Sequence, residues 1–136
     1  MIEYKSISNP NKEETLKLYT SVGWTNYTKN IDILLKGIQY SLCTIGAFEG
    51  ERLIGLVRVV GDGHTIIYIQ DLLVHPVYQQ NGVGQELIKI ILTRYDSVRQ
   101  KVLLTDTNKR LDKFYQKTGF SPSLNLNLTC YVRLDS

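Results

Sequence analysis

Val74-His75-Pro76-Val77-Tyr78-Gln79-Gln80-Asn81-Gly82-Val83-Gly84-Gln85-Glu86-Leu87 is the stretch on which the fold of this 136-residue chain turns. It follows a β-branched apolar run, Thr65 to Val74. It precedes Ile88, Ile91, Leu92 and Tyr95, which share one face at helical spacing. The connection is therefore strand, loop, helix, with two glycines in the loop. Glycine permits unusual backbone angles and close approach, so successive N–H groups can converge on one concavity. The helix N-terminus adds partial positive charge, which favours a phosphate. The loop is built as an anion cradle, although its spacing alone also fits a plain glycine turn. It lacks the Gly-Lys-Ser/Thr of a P-loop and the third glycine of the dinucleotide fingerprint.

Working outward, Tyr40 to Phe48 and Arg52 to Val60 read as strands joined at Glu49-Gly50-Glu51, a hairpin signal. Gly61-Asp62-Gly63 turns the chain into Thr65–Val74, completing an antiparallel meander. Before it, Ile2 to Ile7 alternates as a first strand and stops at Asn9-Pro10. Asn11 to Val22 reads as a helix ended by Gly23, and Ile31, Leu34, Leu35 and Ile38 mark a second. Gly23-Trp24-Thr25-Asn26-Tyr27 is a loop with two aromatics. After the decisive stretch come a strand, Lys101 to Thr105, and a helix carrying Leu111, Phe114, Tyr115 and Thr118 on one face. Leu124, Leu126, Leu128, Cys130, Val132 and Leu134 then alternate as a last strand. The expected fold is α/β, a mixed and mostly antiparallel sheet of six to seven strands flanked by about four helices.

Composition bounds the function. The chain has 43% hydrophobic and 21% charged residues, which suits one globular domain spanning 1–136 and excludes disordered or collagen-like architectures. Sixteen Lys+Arg against thirteen Asp+Glu give +3, but the basic residues are scattered, so no nucleic-acid partner is expected. No apolar run approaches the ~20 residues of a membrane span. Met1-Ile2-Glu3-Tyr4-Lys5 has no signal-peptide pattern, so a cytoplasmic protein is expected. Cys43 and Cys130 belong to no Cys/His cluster. Free thiols and no metal are expected.

The pattern Val-x-Pro-x-Tyr-Gln-x-x-Gly-x-Gly resembles the acetyl-CoA motif of the GNAT superfamily of N-acetyltransferases, whose Arg/Gln-x-x-Gly-x-Gly/Ala is met by Gln79, Gly82 and Gly84. Downstream, Asn108-Lys109-Arg110-Leu111-Asp112-Lys113-Phe114-Tyr115-Gln116-Lys117-Thr118-Gly119-Phe120 is similar to the family's Asn…Phe-Tyr-x-x-x-Gly-Phe helix. The element order also agrees, and the resemblance is strongest from Ile66 to Phe120.

The resemblance implies direct acetyl transfer from acetyl-CoA to a primary amine, with no metal. Leu72, Leu73 and Val74 would offer a backbone edge to the pantetheine arm. Gln79, Gln80, Asn81, Gly82, Val83 and Gly84 would hold the pyrophosphate, and Asn108 would cap the last helix and touch the cosubstrate. Tyr115 would protonate the leaving thiolate, with helix packing as its alternative role. Some small-amine acetyltransferases carry Glu-Asp at the end of strand four. Here the pair is Gln70-Asp71, which leaves Asp71 as a base acting through water or as a backbone partner. Trp24, Tyr27 and Arg58 would line the amine side, with loop anchoring and a solvated strand face as their plainer roles. An acyl-CoA-binding sensor with the same fold is the alternative function. A second copy of the chain is a candidate partner, through the alternating C-terminal strand.

Overall fold

The structure, a computed structural model, describes residues 1–135; Ser136, the last residue of the expected domain, lies outside the described residues. Strand β1 (Ile2–Ser6) leads into helices α1 (Lys12–Ser21), α2 (Thr25–Thr28) and α3 (Ile31–Gln39). Strands β2 (Cys43–Glu49), β3 (Arg52–Gly61) and β4 (Ile66–Val74) form the meander. Helix α4 (Val83–Arg94), β5 (Gln100–Leu103) and α5 (Lys109–Lys117) follow, with short 3-10 turns at Pro76–Tyr78 and Ser123–Leu126. No helix among the described residues is long and apolar enough to cross a membrane. Chain contacts divide the molecule into two compact units, Met1–Leu104 and Thr105–Ser136.

In the first unit the sheet order is β1-β2-β3-β4-β5, antiparallel throughout except for the parallel β4–β5 pair. Local chemistry starts and stops its helices. The Asn11 side chain accepts from the Glu14 amide at 2.9 Å, capping α1. Thr15, Leu18 and Tyr19 then fall on its buried face. In α3, Leu34 and Ile38 are the buried pair.

Register separates the two faces of the sheet. Val57 and Val59 of β3 oppose Ile45 and Cys43 of β2. They share a face with Gly55, where an added Cβ would meet Val83 and Leu87 of α4. The other face carries Leu56, Leu53 and Leu73, packed with Leu18, Tyr19, Leu34 and Ile38 from α1 and α3. A β-bulge in β4 switches that strand between the layers. Val59 opposes Ile69 but Arg58 opposes Asp71, so Gln70 is the extra residue. Upstream of it Ile67 and Ile69 share the α4 face. Downstream, Asp71 and Leu73 share the α1–α3 face.

Space on that face is tight at Gly46. A Cβ there would lie 2.6 Å from Ile7 Cδ1, 2.7 Å from Phe48 Cε2 and 2.9 Å from Leu53 Cδ1. Gly46→Val is therefore expected to lose about 1–3 kcal/mol through overpacking, read as a lower urea midpoint. A midpoint equal to the parent's would show that these side chains give way freely.

Among the described residues the sheet has five strands, fewer than the six to seven expected, and there are five α-helices rather than about four. The aromatic loop contains the extra helix: Thr25–Thr28 makes one turn, with Trp24 at its N-cap. The missing strand is the C-terminal one. Ser123–Leu126 winds into a 3-10 turn that ends at Asn127 in the left-handed conformation, φ 57°. No residue from there to 135 belongs to a strand or helix. Alternation specifies two faces, but a strand also needs a hydrogen-bonded neighbour, which the sequence pattern does not supply.

Candidate active site

The β4 bulge assembles a buried polar cluster between the sheet and the N-terminal helices. Asp71, 2% exposed, accepts from Arg58 Nε at 2.7 Å and from the Tyr19 hydroxyl at 2.8 Å on Oδ2, and from the Tyr27 hydroxyl at 2.8 Å on Oδ1. A carboxylate so buried needs a counter-charge and hydrogen bonds, and it has both. Burial alone would lower the Arg58 pKa, yet Asp71 and the two phenols hold it above its usual value. Burial first, then the charge of Asp71, push the Tyr19 and Tyr27 phenols up, so both stay protonated as donors.

Tyr27 is the outer hub of this cluster. Its one proton goes to Asp71, while its oxygen accepts from Arg58 Nη2 at 3.2 Å and from Gln70 Nε2 at 2.9 Å. That fills the capacity of a phenol. The same accounting fixes the Gln70 amide: with the Tyr27 proton already committed, only the NH2 side of Gln70 can face Tyr27. The exposed Gln70 is thereby left with its carbonyl oxygen for another partner. The ring of Tyr27 packs edge-on against Tyr19 at 5.3 Å and tilted against Trp24 at 6.2 Å, with the Arg58 guanidinium 5.7 Å from its centroid. Asp71, Arg58, Tyr27 and Trp24, all singled out from sequence, thus converge. Arg58 and Asp71 do so as a buried ion pair.

Beyond the bulge, β4 has one sheet neighbour. β5 pairs with Ile66 to Ile69 only, so Gln70 to Val74 have β3 on one side and no described strand on the other. The Leu73 side chain is in the core, so what this residue can offer a ligand is backbone. The Val74 carbonyl accepts from Gln79 Nε2 at 3.0 Å, and Gln79 thereby ties the following loop to the strand end. His75 caps the 3-10 turn, accepting from the Val77 amide at 3.2 Å on Nδ1.

The loop then delivers amides. Gln80 and Gly82 both take positive φ, 66° and 80°. Gly82 is the N-cap of α4, and no side chain caps that end. The first helical bond is Glu86 N–H to the Gly82 carbonyl at 3.0 Å, so the amides of Val83, Gly84 and Gln85 have no partner inside the helix. Asn81 is exposed, while Val83 is 3% exposed and anchors the helix start in the core. These donors on a 12-residue helix fit a diphosphate. Gly82→Ala is expected to lose about 1–2 kcal/mol because a Cβ disfavours the left-handed conformation. Gly82→Asn should lose less, as asparagine visits that region more readily. Thermal melts with and without CoA check both values.

An open strand edge running into a glycine-capped helix is the arrangement that the family resemblance implies, and comparison with known proteins shows the family. The family model described as Acetyltransferase (GNAT) domain matches residues 19–127. The chain belongs to the GNAT acetyltransferases. An uncharacterized N-acetyltransferase of the ycf52-like type from Prochlorococcus marinus is 32% identical over 114 residues, 79% of this chain and 61% of its own length. This chain therefore spans less than two thirds of that relative. A GNAT-family acetyltransferase from Streptococcus pneumoniae TIGR4 superposes with a TM-score of 0.89 at 32% identity, covering 99% of this chain and 98% of that one. A protein of unknown function from methicillin-resistant Staphylococcus aureus gives 0.79 at 27% identity, covering 98% and 100%.

The second unit of this GNAT chain carries the other motif residues. The Asn108 side chain caps α5, accepting from the Leu111 amide at 2.8 Å. Tyr115 lies on the half-buried face of α5 with Leu111, Phe114 and Thr118. Its ring is edge-on to Phe114 at 5.1 Å and to Phe120 at 6.1 Å. Burial raises its pKa above the usual phenol value, and a hydrogen bond with the Thr105 side chain pulls it part of the way back. Tyr19 is the cluster member that sequence reading overlooked. Its signal was present: Thr15, Leu18, Tyr19 and Val22 fall at i, i+3, i+4, i+7, a spacing that buries the tyrosine and obliges its hydroxyl to find a partner.

Proposed function

We propose that this chain transfers an acetyl group from acetyl-CoA directly to the primary amine of a small molecule. The observation that supports it most is the strand edge from Gln70 to Val74, open beyond β5 and leading into the uncapped amides of α4. Leu72, Leu73 and Val74 would hold the pantetheine arm through backbone groups. Residues Gln80 to Gly84 would hold the pyrophosphate, with Gln79 bracing the loop and Asn108 near the cosubstrate. Acetyl-CoA supplies an activated acyl carbon; the protein's part is to place a neutral amine against it and to stabilise the thiolate that leaves.

An amine with a pKa near 10.4 is neutral in roughly one molecule in a few thousand at pH 7, so its proton must go before attack. Asp71 has three donors on two oxygens and serves best as a positioning residue that holds Tyr27 and, through it, Gln70. The Gln70 carbonyl then accepts from an amine N–H and aims its lone pair, while water removes the proton. Trp24 and the Tyr27 ring offer faces to the cationic form on approach. Tyr115 is the hydrogen-bond donor to the sulfur as the thiolate leaves.

Thiol release from acetyl-CoA across a panel of small amines, amino acids and peptides tests this reading. Turnover with small amines supports it. CoA binding without turnover on any amine would replace it with the acyl-CoA sensor. Gln70→Leu is expected to raise the amine KM about tenfold, the loss of one hydrogen bond of roughly 1.4 kcal/mol, at an unchanged CoA Kd. An unchanged KM would remove Gln70 from the amine site.

A further inference from the structure

The loop from Gln79 to Gly82 is exposed at every residue, yet Gln80 and Gly82 both stand in the left-handed region, at φ 66° and 80°. A residue bearing a Cβ, as Gln80 does, keeps that conformation only where its surroundings impose it. At the far end, the buried Val83 fixes the loop to the core. At the near end Gln79 ties to the Val74 carbonyl, and the residue before it, Tyr78, closes the turn Pro76–Tyr78. The other two residues of that turn are exposed, so the core does not hold it.

Tyr78 reaches instead to the β2–β3 hairpin. Its hydroxyl donates to Glu49 Oε1, and Arg52 hydrogen-bonds the phenol oxygen. The bond to Glu49 raises the phenol's pKa above its usual value, so at neutral pH the proton is present to donate. The His75 ring stands edge-on to Tyr78 at 6.1 Å, and the His75 amide donates to the Ile54 carbonyl at 2.8 Å. A second bulge brings these groups together. Ala47 opposes Gly55 but Phe48 opposes Leu53, so Ile54 is the extra residue of β3. Two residues beyond Ala47, Glu49 lies on the face that carries α4, where the loop arrives. Plain alternation from Gly55 would send Arg52 to the opposite face. The extra residue turns it back, and it pairs with Glu49 across the Gly50 turn.

We infer that Tyr78, Glu49 and Arg52 form a latch that holds the Gln79–Gly82 loop in its diphosphate-binding shape, making the hairpin tip a positioning element for the cosubstrate. The inference rests on the acetyl-CoA reading above. The loop's donors are backbone amides, whose directions follow the backbone angles, so what fixes the backbone sets the affinity. A loop already in shape needs no ordering when its ligand binds, and that saving appears in Kd. None of the three side chains has to touch the acetyl group or the amine, so the rate at saturation should not depend on them.

Tyr78→Phe removes only the hydroxyl and should raise the Kd of CoA about threefold to tenfold, the worth of one hydrogen bond. The kcat at saturating acetyl-CoA and the amine KM should stay at the parent values. Acetyl pantetheine, a thioester without the diphosphate, should show the same KM in parent and variant. Glu49→Ala should match Tyr78→Phe, while Glu49→Gln, which keeps an acceptor oxygen for the phenol, should stay close to the parent. NMR relaxation of the chain without ligand reads the latch directly: the amides of Gln80 and Gly82 should become more mobile in Tyr78→Phe. Unchanged mobility would overturn the latch. A looser loop with an unchanged CoA Kd would overturn its role in binding and leave the acetyl-CoA reading standing. An equal loss toward acetyl pantetheine would overturn it as well, since a general disturbance of the fold affects both ligands. A parent that binds no CoA would instead remove the acetyl-CoA reading, and this inference with it.

Discussion

Arg58→Met is expected to destabilise the folded chain by about 3–5 kcal/mol, more than any of the other substitutions considered for stability. Arg58 and Asp71 have side chains only 9% and 1% exposed and meet at 2.7 Å. Attraction between two buried charges roughly offsets the loss of their hydration, so the pair as a whole contributes little net stability. Removing one partner is different. Asp71, its side chain 1% exposed, would be left with its two tyrosine donors and no counter-charge, and an unpaired buried carboxylate carries the penalty. Tyr19→Phe should lose less, about 1.5–3 kcal/mol, because it deletes one hydrogen bond to an ion and leaves the counter-charge in place. Arg58→Met/Asp71→Leu should recover part of the single-variant loss. The recovery is incomplete because the buried Tyr19 hydroxyl is left without an acceptor, at about 1–3 kcal/mol. Urea denaturation of the parent, Arg58→Met, Asp71→Leu and the double variant gives the cycle. An Arg58→Met unfolding free energy within about 1 kcal/mol of the parent's would mean that solvent already reaches the cluster.

This ion pair also shows where reading the sequence stops. Arg58 and Asp71 each stand mid-strand among apolar residues, so each can be singled out alone. Their partnership depends on register. Counting outward from the turn, Gly61 faces Ile67, Val60 faces Tyr68 and Val59 faces Ile69, and the next step would set Arg58 against Gln70. The bulge inserts Gln70, and Arg58 meets Asp71 instead. A bulge of one non-glycine residue leaves no mark in an apolar pattern, so the cluster is invisible until the strands are paired. The phosphate-type loop is the opposite case. What it offers is backbone amides, and the glycine positions that shape them stand in the sequence itself, so the turn from Gln79 to Gly84 is legible as a unit. The C-terminal segment is half legible: its alternation predicts a strand, but the partner that would make it one is not written in the alternation.

Tyr115→Phe is expected to lower kcat about a hundredfold at neutral pH while leaving the CoA Kd and the melting temperature close to the parent values. The prediction rests on the proton the departing thiolate needs. Burial holds the Tyr115 phenol above the usual value near 10, so it is fully protonated at neutral pH and able to donate. The thiol of CoA, near 8.5 by analogy with cysteine, is the stronger acid of the two. Complete transfer from phenol to thiolate is therefore uphill, and Tyr115 would act by donating a hydrogen bond as charge builds on sulfur. That places the effect at the lower end of the 10²–10⁴ range for general acids. It also makes the effect depend on the leaving group. With an acetyl thioester of a more acidic thiol, sulfur carries its charge unaided, and the Tyr115→Phe rate should approach that of the parent. A ring that only packs between Phe114 and Phe120 predicts otherwise: the hydroxyl could be removed at no loss in kcat with either thioester. A parent-like rate with acetyl-CoA would therefore return Tyr115 to the packing of α5 and leave stabilisation of the thiolate to other groups.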